Sequence, residues 1–239
     1  MGYISLFQDG VLRNLALENI PEPSFSEMIR RIEHDLLEMS SRSELMFQRS
    51  VDALKRIDGE LAEEVIASDS KVDTIDRRIE TQCLVLLRDS AASSSDILLL
   101  GTVLKLITDI ERVADLAVDI SQCVAGIEGE LGATGAVDLH SISEIARAMF
   151  HLSIEAYVRR DSVAVTKVLE LENQVDEMFR EMKTQIYDRM RTAEESPVAL
   201  SHLLIALHDI ERVADHAVNI AERVQNLIDQ VGADISPVK

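Results

Sequence analysis

Apolar residues recur along this chain at spacings of three and four, the signature of amphipathic helices. Starting from Phe25, a stripe passes through Ile29, Ile32, Leu36, Met39, Ser43, Met46, Ser50, Ala53 and Ile57. Its period is close to the 3.5-residue repeat of bundle seams. Asp58-Gly59 is expected to break it. Further stripes predict helices over about 60–88, 96–125, 138–160, 162–191 and 197–231, with the serine run Ser93-Ser94-Ser95 as a helix-entry loop and Ser196-Pro197 as N-cap and first helical residue. Helices of about 30 residues are roughly 45 Å long, and short links make them antiparallel neighbours.

The pattern occurs twice. DIERVADLAVDI at 109–120 returns as DIERVADHAVNI at 209–220, differing only at Leu116/His216 and Asp119/Asn219. Upstream, Asp69, Val72 and Asp73 align with Glu172, Val175 and Asp176, and Met46-Phe47 with Met149-Phe150. The expected architecture is all-α, a tandem repeat of two three-helix bundles built from long antiparallel helices. Residues 1–25 form an N-terminal extension, 26–127 the first repeat, 128–137 a Gly-rich linker and 138–232 the second repeat. Within the extension, Ile4, Phe7, Val11 and Leu15 could line a short amphipathic helix, packed on its own chain or on a second subunit.

Composition supports helices and removes several functions. Aromatics are 3 % of the 239 residues, Gly is 9 and Pro only 4, too few turn and strand formers for a sandwich or barrel. A hydrophobic fraction of 46 % supplies a core, and a net charge of −19 argues against binding nucleic acid. The start lacks a basic leader, and the apolar run 97–107 contains Lys105 and is too short to span a bilayer, so a cytoplasmic location is expected. Cys83 and Cys123 have no metal or redox spacing and are expected to stay reduced in the core.

The candidate chemistry lies where apolar stripes carry acids. The third predicted helix reads Leu100, Leu104, Ile107, Glu111, Ala114, Val118, and the sixth Leu200, Leu204, Leu207, Glu211, Ala214, Val218. Glu111 and Glu211 thus fall on core positions by period, with Asp115 and Asp215 one turn on. The second helix adds Asp69, Asp73 and Asp76, and the fifth Glu172 and Asp176. Residues four apart share a helix face, so each acidic pair projects together. Two carboxylates 4 Å apart repel by about 4 kcal/mol at an effective dielectric of 20.

A divalent ion satisfies several carboxylates at once, and oxygen-only donors suit hard or borderline cations. The competing reading is a solvated acidic face, with Arg112 and Arg212 neutralising their neighbours. No histidine has Glu three residues before it, so a ferritin-like di-metal bundle is excluded. His208 and His216 have Thr108 and Leu116 as counterparts and read as incidental.

The duplicated unit, with D-x-x-x-D or E-x-x-x-D in one helix and E-R-x-x-D in the next, resembles the PhoU family of phosphate-uptake regulators. The resemblance covers about residues 26–230, with Ala114 and Ala214 where family members often have Gly. It implies homodimers with multinuclear metal clusters, iron or zinc. By motif match the first cluster would involve Asp69, Asp73, Glu111 and Asp115, extended by Asp119. The second would involve Glu172, Asp176, Glu211 and Asp215. The role implied is regulatory and not enzymatic, between a phosphate-specific ABC transporter ATPase and a sensor histidine kinase. There such proteins keep the phosphate-starvation response off when phosphate is plentiful, peripheral to the membrane at most. A metal-dependent phosphohydrolase and a metal-free scaffold accessory to another phosphate permease are the alternatives.

Overall fold

A computed structural model describes residues 24–88, 92–127, 139–192 and 196–234. Six α-helices and no strands occur among them: α1 (Phe25–Arg56), α2 (Gly59–Leu87), α3 (Ser94–Ile127), α4 (Leu139–Arg159), α5 (Ser162–Thr192) and α6 (Pro197–Asp234). Every predicted helix is present. Most of the N-terminal extension and all of the Gly-rich linker lie outside the described residues.

Local chemistry explains the starts. Ser24 and Glu27 form a reciprocal capping box on α1, and Ser93 with Asp96 does the same for α3. The Asp58 carboxylate accepts from the Leu61 N–H at the start of α2. α6 opens at Pro197, where the missing N–H leaves no bond unmade. One detail differs from expectation. Gly59 is the first residue of α2, and the left-handed residue ending α1 is Ile57, with φ of 50°. Arg160 takes φ of 53° at the matching end of α4, so the duplication extends to the helix caps.

In the first repeat α1, α2 and α3 pack on one another, and in the second α4, α5 and α6 do so. The two bundles join mainly through α3 against α6, the most extensive helix pair in the molecule, with α1 against α4 as a second seam. This placement explains why α3 is so apolar. Leu100, Leu106, Ile110, Val113, Ala117, Ile120 and Val124 are essentially without solvent exposure. Two buried serines of α1 satisfy themselves on their own helix, Ser40 donating to the Leu36 carbonyl and Ser50 to that of Phe47, whereas the buried Ser43 hydroxyl on the stripe has no hydrogen-bond partner among the described residues. Cys83 and Cys123 are free and buried, and burial pushes both thiols up to about 12, so neither is a reactive thiolate at neutral pH.

Near the C-terminal end of α3, the His202 ring of α6 lies over Gly126, where an added Cβ would meet ring atoms at 2.1 to 2.4 Å. Gly126→Ala alone is therefore expected to expel the ring. On a His202→Ala background the same change should gain about 1 kcal/mol of helix propensity, measurable by urea denaturation.

Candidate metal centre

α2 and α3 run side by side, and so do α5 and α6, which brings the predicted acids face to face in two grooves. In the first groove Asp69, Asp73, Glu111 and Asp115 are half-buried, while Asp119 is exposed. Burial raises the Asp69 carboxyl above its ordinary range, and the charges of Asp73 and, across the groove, Asp115 raise it further. Burial also raises Glu111, together with Asp115, Asp76 and Asp73, against the opposing pull of Arg112. Asp69 Oδ1 is buried and has no hydrogen-bond partner. An orphaned carboxylate oxygen in a like-charged groove is the position a cation would relieve.

The second groove is more open. Glu172 and Glu211 are half-buried, while Asp176 and Asp215 are exposed. Glu172 is raised by burial, then by Asp176 and Asp215, and Glu211 by burial, then by Asp215, so the two helices again sense one another.

The donors therefore fit a hard or borderline cation in kind, and they face one another across each groove. Their rotamers are splayed: among the described residues no three His, Cys, Asp or Glu side chains are gathered closely enough to hold one ion. Binding would require them to close inward.

Glu111 and Glu211, expected on core positions, are only half-buried. The buried acids of the motif are Asp109 and Asp209, about 4 % and 5 % exposed, each three residues before Arg112 or Arg212. They lie two residues back, on the side of α3 and α6 that meets the other repeat. Asp109 is neutralised across that seam: His216 Nδ1 is 3.0 Å from its Oδ1, and Arg223 bonds its other oxygen and the Lys105 carbonyl. The counterparts of His216 and Arg223 in α3 are Leu116 and Cys123, which carry no charge to offer Asp209.

Arg212 consequently turns back to Asp209 at 3.2 Å, whereas Arg112, relieved of that duty, pairs with Asp115 at 2.7 Å. Asp215 is left with no ion-pair partner within 4 Å among the described residues. Asp209 remains raised by burial and then by Asp119.

Two further groups join the grooves. Asp76 stands beside the first set, raised by burial and by Glu80 and Asp73; its place on the α2 acid stripe was the available signal. His208 Nδ1 lies 3.1 Å from Glu211 Oε2 in the second groove, close to Phe179, the counterpart of Asp76. Only its i,i+3 spacing to Glu211 could have indicated this. The first groove is thus wholly carboxylate, and the second adds an imidazole.

A duplicated three-helix bundle with an acidic groove in each copy defines a class of helical tandem-repeat proteins. The pattern described as "PhoU domain" matches residues 36–124 and 139–224, and the chain belongs to that family. The Pseudomonas aeruginosa "Phosphate-specific transport system accessory protein PhoU homolog" is 29 % identical over 209 residues, 85 % of each chain. The homologue of the same description from Clostridium acetobutylicum is 24 % identical, covering 89 % of this chain and 97 % of its own. The crystal structure of PhoU from Pseudomonas aeruginosa superposes with a TM-score of 0.82 at 25 % identity, over 87 % of this chain and 100 % of that one. The phosphate transport system regulatory protein PhoU from Streptococcus pneumoniae has the same fold, with a TM-score of 0.79 at 21 % identity, over 90 % of this chain and 100 % of that one. No described helix is long and apolar enough to cross a membrane.

Proposed function

We propose that this chain is a regulatory accessory of a phosphate-specific transport system, a non-enzymatic helical adaptor whose two acidic grooves take metal ions. The observation that carries the regulatory role is family membership over both repeats, with relatives of that description matched along most of their length. The metal reading rests on the grooves: facing carboxylates, raised pKa values and the unpartnered Asp69 oxygen.

Asp69, Asp73, Glu111 and Asp115 would hold ions in the first groove, with Asp119 at its exposed edge. Glu172, Asp176, Glu211 and Asp215 would do so in the second. The family resemblance implies iron or zinc, and His208 would favour a borderline cation in the second groove. The ion would supply positive charge to acids that otherwise repel; the chain's own residues fix the helix register that makes them face one another. Adaptor partners in this reading are a second copy of the chain, the transporter ATPase and a sensor histidine kinase, all met at the cytoplasmic side of the membrane.

The test replaces the chromosomal copy with Glu111→Gln/Glu211→Gln. Metal content of the purified variant is expected to fall, and starvation genes to be expressed while phosphate is plentiful. Unchanged repression with lost metal would make the ion incidental, and unchanged repression in a deletion strain would remove the regulatory role itself. His208 beside Glu211 favours one second reading, a metal-dependent phosphohydrolase with mixed donors. It requires the metal-loaded protein to hydrolyse phosphate esters and Glu211→Gln to abolish that turnover.

A further inference from the structure

We infer that the groove at the N-terminal end of α1 is a docking surface for an acidic segment of another protein. The groove, about 560 Å³, is lined by Glu27, Arg30, Arg31, His34, Asp35 and Arg78, with the Gln82 amide at its edge. The inference goes beyond the regulatory reading and is independent of the metal sites.

Charge is the first argument. The chain carries −19, and most of its arginines are matched by a neighbouring acid. Arg30 and Arg31 are exposed and form no hydrogen bond or ion pair within 4 Å among the described residues. The groove's own acids are already engaged. Glu27 Oε2 accepts from the Ser24 backbone N–H at 2.8 Å, and Asp35 pairs with Arg78 at 2.8 Å. Two guanidiniums, with His34 one turn from Arg30, are thus left facing solvent in a concave site.

The duplication supplies an internal control. In sequence the counterparts of Arg30, Arg31 and His34 are Ala133, Thr134 and Val137, none of which carries a charge. On α5 the counterpart of Arg78 is Glu181. The basic set is thus particular to the first repeat in sequence.

The lining selects the ligand. Guanidinium forks match carboxylate and phosphate geometry. Adjacent residues on a helix do not face each other, so Arg30 and Arg31 cannot both close on one small ion, whereas an extended chain reaches each in turn. Glu27 and Asp35 line the same groove and would repel the dense charge of a phosphate polymer. A peptide offers backbone N–H donors, and an occasional lysine, for those positions. Among the described residues the His34 imidazole is the one ring in the lining, and the chain's charge of −19 disfavours a nucleic acid. An acidic segment with interspersed donors complements the whole surface.

The test measures fluorescence anisotropy of a short labelled peptide that alternates Glu pairs with single Lys residues, added to the full-length protein at low ionic strength. Binding is expected to weaken as salt rises. Arg30→Glu/Arg31→Glu should lose at least about tenfold in affinity. The same change of net charge elsewhere, Lys167→Glu/Arg191→Glu on α5, should leave affinity within about twofold of the native chain. Equal thermal midpoints show that all three proteins are folded. The proposal is overturned if the native chain does not bind the peptide, if both variants lose affinity equally, or if inorganic phosphate or polyphosphate displaces the peptide at equal ionic strength.

Discussion

Saturating the metal-free protein with a divalent ion is expected to raise its thermal midpoint by about 10 °C at neutral pH. An ligand present at a thousandfold excess over its dissociation constant stabilises the folded chain by about 4 kcal/mol, and about 1 kcal/mol moves the midpoint of a chain this size by 2–4 °C. Glu111→Gln/Glu211→Gln should lose most of that gain. The same variant should be no less stable than the native chain without metal, because it removes charges that oppose folding.

The pH dependence of the two forms should run in opposite directions. Asp69, Asp76, Glu111, Glu172, Glu211 and Asp215 all have carboxyls raised above the ordinary 3.8 to 4.5. For a raised acid the folded state takes up its proton first, so lowering the pH from neutral through the raised values stabilises the metal-free protein. The gain stops once pH falls below the unfolded values, where Glu27, Glu38 and Glu144, all held low by hydrogen bonds, begin to lose theirs. In the loaded protein, protons compete with the ion, and stability is lost over the window where the free form gains it. Melting curves at several pH values, with and without ion, would show the two trends. A metal-independent slope would leave the grooves as solvated acidic faces.

Arg223→Met is expected to destabilise the chain by about 3 kcal/mol, because it strands Asp109 in the seam with only His216 beside it. The figure is at the low end for a broken buried pair, since the Arg223 side chain is itself 32 % exposed. Adding Asp109→Leu and His216→Leu should restore most of the loss, because apolar replacement of a whole buried ion cluster is commonly neutral or better. Urea titration of the single and triple variants decides this. If the triple variant is no more stable than the single, the cluster contributes more than charge neutralisation. The equivalent test on the other half, Arg212→Met, should cost less, because Asp209 is raised and can be neutralised by taking a proton.

Much of this molecule follows from local rules applied to the chain. The six helices, their order and the boundary at Ser196-Pro197 come from apolar period and capping chemistry, which depend on residues three or four positions apart. The grouping of Asp69 with Asp115, and of Glu172 with Asp215, was implied by the resemblance to the PhoU family; helical period alone put acids on adjacent helices. Ile57 shows where local rules fail. Gly59 looked like the natural breaker, but the Asp58 cap claims it for α2 and leaves the left-handed position to a β-branched residue.

The sequence by itself determined an all-helical chain, its duplication, and the acids each helix carries along one face. Tertiary structure alone decided which of those acids are buried. α3 packs against α1, α2 and α6 together, so more than one stripe of it is interior, and a single helical period cannot say which neighbour covers which stripe. Asp109 and Asp209 are equivalent in the repeat, yet one meets His216 and Arg223 while the other faces Leu116 and Cys123. Pairing across the seam joins residues more than a hundred positions apart, and no spacing within either helix encodes it.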